Sequence, residues 1–253
     1  MDVLYVYRDF GDSWDLRYSL RSRAANMVNV GRVIVIGDPP DWLSGEVVKV
    51  RCPHPYDRGQ KNILFAIMNA MAHSGVAGPC LYSSDDHFVM KPFDADNLPW
   101  FARQGFWSRF PTEQELYGSG RTALNNWRGS MVATGNLFRR IGWPVDNWSG
   151  HFDTHLDGRD LGTVMSVARG WETSRFAYEP SSLFIAAARM RDPSIRSAPV
   201  VDVKLLRDFD ARGCEERMAV SSGFMSAAET RFMPRFRRWM ELRFPEPCRW
   251  EKT

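Results

Sequence analysis

An acidic pair follows directly on a short apolar run at residues 80–83. Asp85 and Asp86 stand where that run ends, with His87 next in the chain. Carboxylate oxygens are the ligands that Mg²⁺ or Mn²⁺ prefers, and such an ion would neutralise the charge that develops on a departing nucleoside diphosphate. The pair is therefore a candidate metal site, with Asp86 a candidate catalytic residue and His87 either a third ligand or a core residue. The alternative interpretation is a helix cap or a turn.

A second polar stretch, residues 148–156, contains two candidates for a general base. Asp153 and His155 are side-chain types that take a proton from an acceptor hydroxyl, and a histidine is poised to do so near neutral pH. Either residue could serve. An exposed loop without a catalytic role would have the same composition, so that alternative stays open.

These residues must be positioned by an alternation of apolar strands and helices. The pattern predicts strands at residues 3–7, 32–37, 46–51 and 80–83 and helices at residues 14–26 and 61–73. Such alternation is typical of an α/β fold with a mostly parallel, Rossmann-like central sheet and flanking helices. Ligands of these sheets bind outside the carboxyl ends of the strands, where Asp85 and Asp86 stand. Further helices are predicted at residues 160–169 and 229–244.

The composition favours a single folded domain of 253 residues, since 44% of the residues are apolar and no repeat or linker interrupts the pattern. The alternative is two domains with a boundary near residue 100. No run approaches the roughly 20 apolar residues of a membrane span, and the charged N-terminal segment does not resemble a signal peptide. We therefore expect a cytoplasmic protein without membrane contact. Its four well-separated cysteines are expected to be reduced thiols.

The formal net charge is only +3, but arginine accounts for 28 of the 33 basic residues. Guanidinium groups bind phosphate in a bidentate manner and stack on bases. Six arginines are interleaved with phenylalanines and tryptophans near the C-terminus. A segment of this composition could bind nucleic acid. They are Arg231, Arg235, Arg237, Arg238, Arg243 and Arg249. A GC-rich genome, whose codons favour arginine, would produce the same bias.

Several blocks within residues 1–95 resemble, in order and spacing, conserved regions of the Stealth family of bacterial capsular-polysaccharide sugar-phosphate transferases. The blocks are residues 15–22 (DLRYSLRS), 33–43 (VIVIGDPPDWL), 47–50 (VVKV) with His54, Asn62, and 81–86 (LYSSDD), with weaker similarity at 151–156 (HFDTHL) and 202–204 (DVK). In size and tail the chain is also similar to compact virus-encoded glycosyltransferases that decorate modified bases in DNA. These resemblances imply a GT-A-like fold, with residues 1–95 as the nucleotide-sugar-binding half and residues 96–253 as the acceptor-binding half, ending in a basic, aromatic helix.

The resemblance also implies which residues hold the donor. The candidates are Arg8, Asp9, Arg17, Asp38, Lys61, Asn62 and Asp85. The cationic members could pair with phosphate oxygens, Asp9 or Asp38 could accept hydrogen bonds from base or ribose, and Asn62 could orient a donor hydroxyl. Asp85 would hold the metal beside the phosphates. The alternative is a set of solvated cations and helix-capping polar residues.

The function expected from residues and resemblance together is metal-dependent transfer of a sugar from a nucleotide sugar, with a UDP-sugar as donor, to an acceptor hydroxyl. The candidate acceptor is 5-hydroxymethylcytosine in phage DNA, because the tail offers cations and aromatic rings for an extruded base. Such an enzyme would act in the host cytoplasm. Two alternatives stay open: a Stealth-like sugar-1-phosphate transferase acting on a saccharide, which would release a nucleoside monophosphate, and a non-catalytic nucleic-acid-binding protein.

Overall fold

The computed structural model describes residues 1–252 apart from residues 74, 77, 104, 121–123, 207 and 229. In chain order its strands are β1 (Asp2–Tyr7), β2 (Met27–Val28), β3 (Val33–Gly37), β4 (Val47–Arg51), β5 (Pro79–Ser84), β6 (His87–Val89), β7 (Phe93–Asp94), β8 (Phe101–Ala102), β9 (Thr154–Asp157), β10 (Ala198–Pro199), β11 (Val203–Leu205) and β12 (Phe224–Ala227). Its α-helices are α1 (Trp14–Asn26), α2 (Gly59–His73), α3 (Glu113–Gly118), α4 (Asn126–Ile141), α5 (Leu161–Val167), α6 (Pro180–Arg191), α7 (Ala211–Val220) and α8 (Pro234–Arg243).

Five of the strands form a central sheet in the order β4-β3-β1-β5-β9. β1 pairs in parallel with β3 and β5, and β3 pairs in parallel with β4, while β9 runs antiparallel to β5 at the edge. Every residue of β3 is buried, as expected for a parallel strand that is covered on both faces. The predicted α/β class, with a mostly parallel central sheet and flanking helices, is confirmed.

Apolar side chains cover both faces of this sheet. Successive residues of a strand point to opposite faces, so Leu4 and Ile34 pack with α2, α4 and α6, whereas Val3 and Val35 pack with α1 and Trp250. Helices on both sides hold the strands in register, and the carboxyl ends of β1, β3, β4 and β5 therefore meet at one edge. That edge is where the polar residues of the candidate site lie.

A smaller sheet in the order β11-β12-β6 supports the C-terminal helix α8. The helix begins at Pro234 after a 3₁₀ turn, whereas the predicted start, residue 229, lies outside the described residues. Phe236, Phe244 and Trp250 are buried, while the Phe232 side chain is 65% exposed. Most of the aromatic residues that sequence reasoning assigned to nucleic-acid contact therefore belong to the core of the protein.

The first half of the chain follows the predicted order closely. The predicted strands correspond to β1, β3, β4 and β5, and the predicted helices correspond to α1 and α2. The helix predicted at residues 160–169 corresponds to a 3₁₀ turn followed by α5, while α4 and α6 were not predicted. None of the described helices is long and apolar enough to cross a bilayer. The four cysteines are free thiols, as expected.

Candidate active site

Three adjoining cavities lie at the carboxyl edge of the sheet, around the turn after β5. The aromatic cavity, of about 170 Å³, is lined by Arg8, Phe10, His54, Asn62, Tyr82, Ser84 and Asp85, among others. The polar cavity, of about 200 Å³, is lined by Tyr82, Ser84, Asp86, Arg103, His151 and Glu179, among others. The acidic cavity, of about 280 Å³, is lined by Tyr7, Arg8, Phe10, Asp12, Asp15, Asp85 and Arg231, among others. The predicted acidic pair therefore lies where the three cavities meet.

The carboxylates at this meeting point crowd one another. Burial and the charges of Asp86 and Asp15 raise the pKa of Asp85 to about 7. Burial and the charges of Asp86 and Asp12 likewise raise the pKa of Asp15 to about 6. Asp86, whose side chain is 31% exposed, faces the polar cavity. Like charges held together in this way would be relieved by a bound cation.

Within the part of the chain that the structure describes, no three His, Cys, Asp or Glu side chains form a group that could hold a metal ion. A divalent ion at Asp85 and Asp86 would need further oxygens from a bound phosphate and from water, which is how Mg²⁺ is usually held beside nucleotides. His87 is buried, and its Nδ1 lies 3.4 Å from the backbone nitrogen of Ser84. Burial lowers its pKa, and the ring lines the polar cavity, where its Nε2 lies 3.8 Å from Oδ1 of Asp86.

The ends of β1 and β3 are joined by a close backbone contact. Gly37 adopts φ +120°, and a Cβ at this position would lie 2.0 Å from the carbonyl oxygen of Tyr7. The close approach brings Asp38 to the cleft, where its Oδ2 accepts from the backbone N–H of Asp9 at 3.3 Å and lies 3.1 Å from His54 Nε2. The other ring nitrogen of His54 is buried without a partner among the described residues. His54 is thus held by Asp38 in the wall of the aromatic cavity.

An exposed aromatic ring stands at the rim of the aromatic cavity. The Phe10 side chain is 73% exposed, and the guanidinium of Arg8 lies 5.5 Å from its ring centre. On the opposite wall, the Asn62 amide accepts from the backbone N–H of Tyr56 at 3.0 Å and donates to its carbonyl at 2.8 Å. Asn62 therefore fixes the loop before α2, and Arg8 and Phe10 remain available to a ligand.

Two of the predicted phosphate ligands are engaged elsewhere. Arg17 forms an ion pair with Glu251 and stacks on Trp42 at 4.2 Å. The Lys61 ammonium donates to the carbonyl oxygen of Glu172 at 2.7 Å. Neither side chain lines the three cavities, because each is held by a segment that is remote in sequence and that sequence reasoning could not place.

The structure does not bring the two predicted general bases to the cleft either. Asp153 and Arg23 are both fully buried and form a bidentate ion pair, with N–O distances of 2.6 and 3.0 Å. The His155 ring stacks on Trp100 at 4.4 Å, and its Nε2 lies 2.9 Å from the carbonyl oxygen of Leu98. Both side chains are engaged on the α1 side of the sheet, whereas the polar cavity lies on the α6 side.

Sequence reasoning missed three residues that do line the polar cavity. Glu179 caps α6, its carboxylate accepting from the backbone N–H groups of Ser181 at 3.3 Å and Ser182 at 2.7 Å, and burial raises its pKa. His151 and Arg103 line the same cavity. A glutamate followed by proline is a recognisable helix start, so the sequence could have placed Glu179 at the beginning of a helix. Nothing in the local sequence indicates which cavity its side chain lines.

The C-terminal arginines divide into two groups. Arg237 pairs with Asp12 at 2.7 Å and Arg243 pairs with Glu215 at 2.7 Å, so both hold α8 in place. Arg231 lines the acidic cavity and lies 4.7 Å from the ring centre of exposed Phe232. An arginine and an aromatic ring thus stand on each side of the acidic cavity mouth, with Arg8 and Phe10 forming the other pair.

Comparison with known proteins adds no family assignment. No protein-family model matches the chain, and no curated protein sequence matches it. The resemblance to Stealth transferases therefore stays a prediction, and the residues that line the three cavities carry the functional inference.

Proposed function

We propose that this protein is a GT-A-like, metal-dependent glycosyltransferase that uses a nucleotide sugar. One observation carries the proposal: the carboxylates of Asp85 and Asp86 separate an aromatic cavity from a polar cavity at the carboxyl edge of a parallel sheet. A nucleotide sugar has this order of parts, with an aromatic base, a diphosphate and a polar sugar. Ligands of open α/β sheets bind at this edge.

The aromatic cavity suits the base and ribose of a nucleoside diphosphate. Phe10 offers a flat, exposed face for stacking on the base, and His54 and Tyr82 line the same cavity. Arg8 lies between the aromatic and acidic cavities, where its guanidinium can meet a phosphate oxygen. A uridine diphosphate is small enough to extend from this cavity to the acidic turn.

The acidic turn suits a divalent ion because its donors are hard carboxylate oxygens that repel one another. Asp85 and Asp86 would hold Mg²⁺ or Mn²⁺, with Asp15 adding to the negative potential. The bound ion would neutralise charge on the leaving diphosphate. Asp85 and Asp86 are adjacent residues of one turn and line adjoining cavities, so an ion held between them would lie where those cavities meet.

The polar cavity suits the transferred sugar and the acceptor hydroxyl. Glu179 is the residue we assign as general base, since it is a buried carboxylate with a raised pKa that lines this cavity. It would take the proton of the acceptor hydroxyl as the acceptor oxygen bonds to the anomeric carbon and the bond from that carbon to the diphosphate breaks. The two backbone N–H groups that it accepts from hold the carboxylate in one orientation.

The acceptor we propose is a hydroxymethylated base in DNA, such as 5-hydroxymethylcytosine. The favouring observation is the exposed ring of Phe232, with the guanidinium of Arg231 lying 4.7 Å from its centre beside the acidic cavity. Aromatic rings with adjacent cations are the usual platform for unstacked bases. A base modified by an enzyme must leave the duplex, and such a platform would receive it.

Incubation with Mn²⁺, a panel of nucleotide sugars and DNA with or without 5-hydroxymethylcytosine, followed by nucleoside mass spectrometry, tests the proposal. We expect a hexose on the modified base, release of a nucleoside diphosphate and loss of both in Asp86→Asn. Asp208→Asn, which changes an exposed aspartate outside the cavities, should behave as the wild type. Release of a nucleoside monophosphate would instead support the sugar-1-phosphate transferase, and DNA binding without donor turnover would support the non-catalytic alternative.

A further inference from the structure

A partly buried arginine in the polar cavity lacks an anionic partner. Arg103 follows β8, and its Nε donates to the carbonyl oxygen of Ser149 at 2.6 Å. Among the described residues, no carboxylate lies within ion-pair distance of its guanidinium. Arg23, by comparison, is buried against the carboxylate of Asp153. Burial lowers the pKa of Arg103, and Asp202 and Glu179 act on its guanidinium only from beyond ion-pair distance, so this side chain is a position where a bound anion would be stabilised.

A second cation lies close to the same cavity. The ammonium of Lys204, in β11, is 2.8 Å from Nε2 of His151, which lines the cavity with Arg103. Burial and the positive charges of Lys204 and Arg103 lower the pKa of His151 to about 2, so the ring stays neutral and accepts from the lysine. Arg103 and neutral His151 therefore line the polar cavity, and the Lys204 ammonium adds positive charge beside them.

The carboxylates of the cavity belong to other elements. Asp86 comes from the turn after β5, and Glu179 comes from the start of α6. The carboxylates and the cation of the polar cavity therefore come from different parts of the chain. A ligand that fills the cavity should present a hydroxyl to the carboxylates and an anionic group to Arg103. The donor phosphates have their own place at Asp85, beside the aromatic and acidic cavities, which Arg103 does not line.

We propose that Arg103 and Lys204 bind a phosphate group of the acceptor, next to the hydroxyl that receives the sugar. The inference rests on the proposed function and names the acceptor's second point of attachment. In DNA this group is the phosphodiester beside the extruded base. A guanidinium fork donates two parallel hydrogen bonds to phosphate oxygens, and an ammonium adds charge without a directional requirement.

The direct test is binding of inorganic phosphate to the full chain without metal, followed as thermal stabilisation at constant ionic strength. We expect saturable stabilisation of the wild type and at least about tenfold weaker binding in Arg103→Gln, as loss of a charged hydrogen bond predicts. Lys204→Gln should also weaken phosphate binding. It provides a second test of the site if the Arg103 variant does not fold. The control is Arg235→Gln, an exposed arginine of α8, which should bind phosphate as the wild type does.

Binding of uridine diphosphate with Mn²⁺ separates this inference from the proposed function. Arg103→Gln should retain wild-type affinity for the nucleotide and, where transfer is observed, should raise the KM for a modified oligonucleotide about tenfold or more while kcat changes little. Phosphate binding that survives in both variants would overturn the inference. Equal weakening of phosphate and of the nucleotide would also overturn it, because the cations would then serve the donor. If the two variants lose phosphate binding and the wild type binds no nucleotide, the anion site is supported and the proposed function is wrong.

Discussion

Replacement of Asp153 by asparagine tests whether this carboxylate stabilises the fold or acts in catalysis. The carboxylate is buried with Arg23, which also donates from Nε to the Tyr5 hydroxyl at 2.8 Å and from Nη2 to the Ser83 hydroxyl at 3.0 Å. Burial disfavours the charged Arg23 guanidinium, and the Asp153 carboxylate more than offsets this effect and raises the pKa of Arg23. The ordinary pKa of an arginine is so far above neutrality that the guanidinium keeps its charge in the variant. Asp153→Asn therefore leaves an uncompensated cation in the core between α1 and the sheet.

The expected destabilisation is about 3–5 kcal/mol, the usual result of removing one partner of a fully buried pair. For a chain of this size, each kcal/mol shifts the melting temperature by about 2–4 °C, so Asp153→Asn should melt about 6–20 °C below the wild type. The double variant Arg23→Met, Asp153→Leu removes both charges and keeps an apolar volume. It should recover at least half of the lost free energy of unfolding.

Urea unfolding of the wild type, the single variant and the double variant measures these differences, and sugar transfer is assayed on the same samples below their melting temperatures. If Asp153 is structural, the folded double variant keeps its transfer activity. A single variant with wild-type stability and no activity would refute this reasoning and restore Asp153 as a candidate base.

Three further predictions concern the cleft. Glu179→Gln should lower kcat by about 10²–10⁴-fold, because the amide cannot take a proton, and unchanged kcat would exclude Glu179 as the base. Its single oxygen can keep the bond to the Ser182 N–H but not the one to the Ser181 N–H, so the melting temperature should fall modestly. The raised pKa of Asp85 means that the folded protein holds this proton more tightly than the unfolded chain, so stability falls as pH rises from about 4 to about 7. In urea unfolding without divalent ions, Asp85→Asn should therefore be more stable than the wild type at pH 8, by up to about 4 kcal/mol, and equal to it below pH 4; a destabilised variant at pH 8 would contradict the crowding of carboxylates. Gly37→Ala should lower the free energy of unfolding by about 1–3 kcal/mol, since the left-handed φ and the contact with Tyr7 exclude a Cβ. Thermal melting measures this loss. The control is Gly45→Ala, an exposed position where a Cβ meets nothing within 4 Å, which should melt as the wild type does.

The sequence alone was sufficient for the four parallel strands of the central sheet, because they are largely apolar runs, but it did not predict the polar edge strand β9. β3 is buried at every residue and β1 at most of its residues, so neither needs a distant partner to be recognised. The position of Asp85 and Asp86 at a carboxyl end followed from the same local pattern. The helices of the second half gave no comparable signal: α6 is buried on nearly all sides and consists largely of small residues, so it has no polar face that would mark a helical period.

The tertiary structure decided which polar side chains reach the cleft. Asp153 and His155 are two residues apart, at and beside the start of β9, and therefore point to the same face of the sheet, where α1 and the segment around Leu98 engage them. Thr154, between them, points the other way and bonds to Ser181 at the start of α6, beside Glu179. The register of one antiparallel edge strand thus selects the face, and its pairing with β5, in which Leu81 lies opposite His155, fixes that register.

Composition also could not separate the arginines that stabilise the fold from those left free for a ligand. Arg23 and Arg103 are both desolvated, but Arg23 lies against Asp153 from a remote segment, while Arg103 is held by a backbone carbonyl and has no carboxylate within ion-pair distance among the described residues. The sequence determined the four parallel strands and the acidic turn, because apolar runs and turns are local. Only the tertiary structure determined the partners of buried charges, because an ion pair depends on two segments that the fold brings together.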